Sequence, residues 1–148
     1  MKASLVLLAT LLVPAAVLAQ DGKLAPVVEP YLKIQQTLAA DSMAGIGEQA
    51  AAIARAATAL GPQAKDVAAG AKQLQGAGDI GAARDAFYAL TTAMFKYADA
   101  TKTSLGPGVR RTYCPMEKKT WAQKDGQISN PYAGKRMLRC GEFIDGKG

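Results

Sequence analysis

Both cysteines of this chain stand beside a methionine: Met116 follows Cys114 by two residues, and Met137 precedes Cys140 by three. The stretch between them holds the single tryptophan, Trp121. Soft ions such as Cu(I) and Ag(I) prefer thiolate and thioether sulfur to oxygen, and two to four such donors suffice. Cys114-Pro115-Met116 puts two sulfurs on one proline-stiffened segment, and Met137-Leu138-Arg139-Cys140 puts two more at a three-residue step. If folding joins the two ends, Cys114, Met116, Met137 and Cys140 make a four-sulfur site for Cu(I) or Ag(I). The indole face of Trp121 is then available as a cation–π partner for the ion.

The same residues admit a plainer chemistry. In an oxidising compartment Cys114 and Cys140 can pair as a disulfide across a 26-residue interval, which would stabilise the fold by about 3–4 kcal/mol on the loop-entropy model. A redox pair is a further reading, and each methionine alone can serve as apolar filler. Metal site and disulfide can also alternate, reduced sulfurs binding an ion and oxidised ones bonding to each other. Histidine is absent, which excludes Cys/His zinc sites, His-ligated haem and His-dependent nucleophilic catalysis. Glu117, Asp125 and Glu142 lie near the cysteine stretch, but no pair of them has a spacing that identifies a reaction. The chain therefore reads as a binding protein and not an enzyme.

The first nineteen residues set the compartment. Lys2, the apolar run Leu5 to Leu12 and the small residues up to Ala19 have the order of a secretory signal peptide over residues 1–19, cut after Ala19. The run is short for a bilayer span, and no stop-transfer pattern follows. Removing Lys2 takes Lys+Arg from 18 to 17 against 12 acidic residues, a net charge of +5 on one exported domain over residues 20–148. Basic residues thicken towards the C-terminus in Arg110-Arg111, Lys118-Lys119 and Lys135-Arg136. With export expected and no nucleic-acid motif present, these read as a solvated or partner-facing surface.

The elements that must position the sulfurs are helical. Val27, Tyr31, Ile34 and Leu38 recur at steps of three and four, predicting a helix from Val27 to Ala40, with Asp21 to Ala25 as a mobile lead. Asp41-Ser42 offers a cap for a second helix, with Met43, Ile46, Ala50, Ile53, Ala57 and Leu60 on its seam. Gly61-Pro62 ends it and opens a weaker third helix reaching Gln75. Asp79 caps the strongest element, in which Ile80, Ala83, Phe87, Leu90, Met94, Tyr97 and Thr101 repeat without a break and the helix extends to Ser104. Met43 and Met94 fall on the seams and belong to packing. The fold class expected is all-α: an antiparallel up-and-down bundle of four helices over 27–105, with an extended irregular segment over 109–145 wrapped on it. Tyr113, Trp121, Tyr132, Leu138 and Phe143 are the expected anchors, and Met137 to Cys140 with Phe143-Ile144 the expected short strand.

A resemblance adds to this reading. The run Tyr113-Cys114-Pro115-Met116, Trp121-Ala122-Gln123, Ile128 to Tyr132 and Gly134 to Gly141 is similar to a bacterial periplasmic domain family of unknown function. The similarity extends to Tyr31 to Gln35, Leu38 to Asp41 and Ala83 to Phe87. Members of that family occur alone or fused to the adaptor subunit of CusB-type copper/silver efflux pumps. The resemblance implies a periplasmic helical domain that keeps company with heavy-metal export, and efflux components as partners. The function expected is therefore periplasmic Cu(I)/Ag(I) binding linked to efflux or tolerance. The alternative is a module stapled by Cys114–Cys140 that partners an efflux adaptor without metal.

Overall fold

The computed structural model describes residues 22–145; the signal peptide expected over residues 1–19 lies outside them. Helix α1 spans Ala25–Ala39, α2 Ile46–Ala59, α3 Lys65–Gln75 and α4 Ile80–Thr101, with a single 3-10 turn at Pro62–Ala64 leading into α3. Each helix packs on the next in sequence, α1 on α2, α2 on α3 and α3 on α4. Short connections favour such neighbour packing.

The last quarter of the chain corrects the all-α expectation. Val109–Cys114 forms strand β1, Lys119–Lys124 forms β2 and Glu142–Phe143 forms β3, in an antiparallel sheet ordered β2-β1-β3. Among the described residues the fold is mixed: four α-helices and a three-stranded sheet. Thr112, Tyr113, Thr120 and Trp121 are β-branched or aromatic and suit a pleated surface. The strands are joined by a tight turn in which Lys118, at φ 52°, takes the left-handed conformation without being glycine. Met137, expected in a strand, instead closes a second 3-10 turn at Gly134–Met137.

β2 rests against both α1 and α4 and so closes the side of the bundle between the first and last helices. Its consecutive residues Trp121, Ala122 and Gln123 are all buried, as a strand covered on both faces must be. Across the gap, the rings of Tyr31 and Phe87 stack with centroids 4.6 Å apart. One apolar core runs from Leu24 and Val27 through Ile53, Leu74 and Leu90 to Trp121 and Tyr132. Leu24 belongs to that core, so the mobile lead expected up to Ala25 ends at least two residues earlier.

Local details follow the residue chemistry with three departures. Asp79 caps α4, its carboxylate accepting from the Ala82 amide at 2.9 Å. Asp41 and Ser42 do not cap α2, whose N-cap is Gly45 with no side-chain bond; Asp41 has other partners, described below. Pro30 is the sixth residue of α1, so it forgoes an internal helical bond. α4 stops at Thr101, where Lys102 turns left-handed at φ 54°. Gly70, costly in an isolated helix, has its reason in packing: a Cβ there would lie 2.9 Å from the Leu90 Cα of α4.

Candidate functional site

The cysteines meet and are bonded. Cys114, the last residue of β1, forms a disulfide with Cys140, their Cα atoms 5.6 Å apart. Cys114 is fully buried and Cys140 half-buried. A cystine sulfur is not a thiolate, so in this form the expected quartet does not fit Cu(I) or Ag(I): two of its four donors are spent on each other. Met116 lies in the β1–β2 turn with 70% of its surface exposed, the one large apolar side chain so exposed among the described residues. Met137 is half-buried at the end of the second 3-10 turn, its carbonyl accepting from the Cys140 amide at 2.9 Å. Met43 is half-buried against the core and Met94 is fully buried, both in packing roles.

Charge joins the two methionine segments a second time. Arg136, beside Met137, donates to the carboxylate of Glu117, beside Met116, at 2.7 Å. The Glu117 amide also points at the Cys114 sulfur, 3.4 Å away. The turn Pro115–Lys118 and the turn Gly134–Met137 are therefore held side by side by one covalent bond and one ion pair.

Trp121 is fully buried, and its indole N–H donates to Gln123 Oε1 at 3.0 Å. Its ring leaves no room for a side chain at Gly141, where a Cβ would sit 2.6 Å from an indole carbon. The cations that lie over aromatic rings here choose others: Lys119 over Tyr132 at 5.2 Å and over Tyr88 at 5.6 Å, Arg110 over Phe143 at 4.2 Å, and Arg111 over Phe95 at 4.5 Å. Of the expected anchors, Trp121 and Tyr132 are buried, while Tyr113, Leu138 and Phe143 are half-buried.

What fixes this end of the molecule is a set of polar clasps. β2 is an edge strand, and an open edge leaves amides and carbonyls unpaired. Two tyrosines complete it: Tyr31 Oη accepts from the Ala122 amide at 3.1 Å, and Tyr132 Oη donates to the Thr120 carbonyl at 2.7 Å. Tyr31 passes its own proton to Thr91 Oγ1 at 2.8 Å, and Thr91 donates to the Phe87 carbonyl at 2.8 Å. Burial pushes both phenols well above the usual tyrosine range.

Asn130, fully buried, does for the loop what the tyrosines do for the strand. Its Oδ1 accepts from the amides of Tyr132 at 2.9 Å and Ala133 at 3.1 Å, while its Nδ2 donates to the Cys140 carbonyl at 2.9 Å. Gln123 Oε1 takes the Ser129 amide at 3.0 Å, and Gln35 of α1 donates to the Ser129 carbonyl. A third clasp spans the other end of the loop. Arg84 of α4 donates to the Leu38 carbonyl at 3.0 Å, to the Pro131 carbonyl at 2.8 Å and to Asp41 at 2.6 Å. Asp41 also takes the Lys135 amide at 3.0 Å, and its bond to Arg84 lowers its pKa below the usual carboxylate range. At Gly134, φ 55°, a Cβ would fall on this pair, so only glycine fits.

Tyr31, Gln35, Asp41, Arg84 and Gln123 were not among the expected site residues. The one signal for them lay in the stretches that carry the resemblance, since Tyr31 to Gln35, Leu38 to Asp41 and Ala83 to Phe87 all supply groups to this loop. Comparison with protein-family models, with curated proteins and with solved structures finds no match for this chain.

Proposed function

We propose that the chain is an exported, disulfide-stapled interaction module that offers the Met116 turn to a protein partner, with the periplasmic adaptor of a copper/silver efflux pump as the expected partner. The observation that carries the reading is the contrast between Cys114, bonded and buried, and Met116, two residues away and 70% exposed. A flexible, polarisable thioether held out on a stapled turn is a side chain suited to a partner's apolar pocket. The efflux partner rests on the resemblance of the sequence.

The test is calorimetric binding of the oxidised protein to the isolated periplasmic adaptor portion of such a pump. Met116→Ala should weaken binding by about tenfold, as expected of an interface anchor, with thermal stability unchanged. Equal binding by both forms removes Met116 from the interface, and no binding by either removes the partner.

A second reading is favoured by the ion pair that holds Met116 and Met137 on neighbouring turns. Reduction would return two thiols to that place, and Cys114, Met116, Met137 and Cys140 could then take up Cu(I) or Ag(I). Anaerobic Cu(I) titration of the reduced protein against a competing chelator should show affinity that falls in Met116→Ala and in Met137→Ala. Unchanged affinity in both variants ends this reading.

A further inference from the structure

The face made by α2 and α3 carries a trough that takes no part in the sulfur end of the molecule. Two adjoining hollows of about 420 and 490 Å³ share Thr58 and Lys72 and so form one groove between the helices. Small side chains line it, among them Ala51, Ala54, Ala57 and Ala68. Its charged lining is of one sign: Arg55 from α2, Lys65 and Lys72 from α3, and no Asp or Glu.

These three cations have no ion-pair partner among the described residues, whereas Lys96, Arg110, Arg111, Lys119 and Arg136 each face a carboxylate. The acid on α3, Asp66, turns away and pairs with Lys96 of α4 at 3.9 Å. Positive charge is thus gathered over an apolar floor with no acid beside it.

We propose that the trough docks an acidic amphipathic helix of a protein partner. Alanine walls let a third helix backbone come close, as packing of ridges into grooves requires. Each wall runs about two turns, Ala51 to Thr58 on α2 and Lys65 to Lys72 on α3, or about 11 Å at 1.5 Å per residue. That length receives small or apolar side chains at positions i, i+4 and i+7 of the incoming helix, whose carboxylates then face Arg55, Lys65 and Lys72 and steer its approach. A membrane surface is served by apolar groups that project, and this floor is concave and made of alanine.

The test uses two labelled helical peptides of identical Ala/Leu stripe, one flanked by Glu and one by Lys, with amide shifts mapping the bound surface. The Glu peptide should bind at α2 and α3, the Lys peptide at least about tenfold more weakly, and added salt should narrow the gap. Lys65→Glu with Lys72→Glu should invert the preference. Thr58→Trp, at an exposed position, should block the trough with the melting temperature unchanged. The proposal is overturned if neither peptide binds, if charge makes no difference, or if shifts map to the Met116 turn. It is also overturned if phosphatidylglycerol vesicles hold the protein more tightly than the Glu peptide does. This site is independent of the sulfur end, and either assignment can fail without the other.

Discussion

The hydroxyl of Tyr31 sits where α1, α4 and β2 meet, taking the Ala122 amide and giving its proton to Thr91. Tyr31→Phe keeps the ring stacked on Phe87 but strips both partners in a fully buried place. Leaving a buried donor unpaired costs about 1–3 kcal/mol, so chemical denaturation should show a loss in that range. Burial raises the pKa of Tyr31 and Tyr132 in the fold. Their contribution to stability is therefore full below the ordinary phenol pKa of about 10 and is lost as pH rises beyond it. Ultraviolet titration should show these two phenolates appearing only together with unfolding. Asp41 has the opposite sign. Its folded pKa is lowered by Arg84 and Lys135, so the stability it adds is full above its unfolded pKa of about 4 and fades as pH falls through the folded value. Asp41→Asn should be less stable than wild type at neutral pH, and acid denaturation curves should show the gap closing below pH about 4.

At the scale of elements, the helices were legible and the sheet was not. The seam from Ile80 to Thr101 repeats at three and four without interruption, and α4 follows it to its last residue. β1 reads Val-Arg-Arg-Thr-Tyr-Cys, in which two arginines hide the alternation; Arg111 is nonetheless placed by its bidentate pairing with Asp99 of α4. β2 is buried at three consecutive positions and so shows no period of two. The turn between them uses Lys118 where a left-handed residue invites glycine, so the usual hairpin signal is missing. The meeting of the two cysteine ends was legible as one of the alternatives for Cys114 and Cys140. The clasp of Arg84 was not, because its partners Leu38, Asp41 and Pro131 lie far from it in sequence; those of Asn130 and Gln123 are local but sit on a loop with no regular period to mark them. Gly70 shows the same limit. Helix propensity alone favours Gly70→Ala by about 1 kcal/mol. Contact with the Leu90 backbone at 2.9 Å opposes it, and overpacking costs about 1–3 kcal/mol. The contact should win: thermal unfolding of Gly70→Ala is expected at a lower temperature than wild type.

For the molecule as a whole, the bundle and the sheet divide the work. The helices carry most of the apolar core; Gln35 and the Arg84–Asp41 pair pin the segment from Gln127 to Asp145 to the bundle, the disulfide ties it to β1, and Asn130 folds it on itself. The disulfide closes a 26-residue interval, so opening it should cost about 3–4 kcal/mol on the loop-entropy model. Among the described residues no helix is long and apolar enough to cross a membrane.

The central claim is that the Cys114–Cys140 bond holds a fixed platform for the Met116 turn. Hydrogen–deuterium exchange of the native protein, run with and without reductant and paired with thiol alkylation, tests it most directly. No alkylated cysteine is expected before reduction. After reduction, a loss of protection confined to β1, β2 and residues 127–143 is expected, while α1 to α4 stay protected. Two free thiols in the untreated protein, with those same residues already protected, would contradict it.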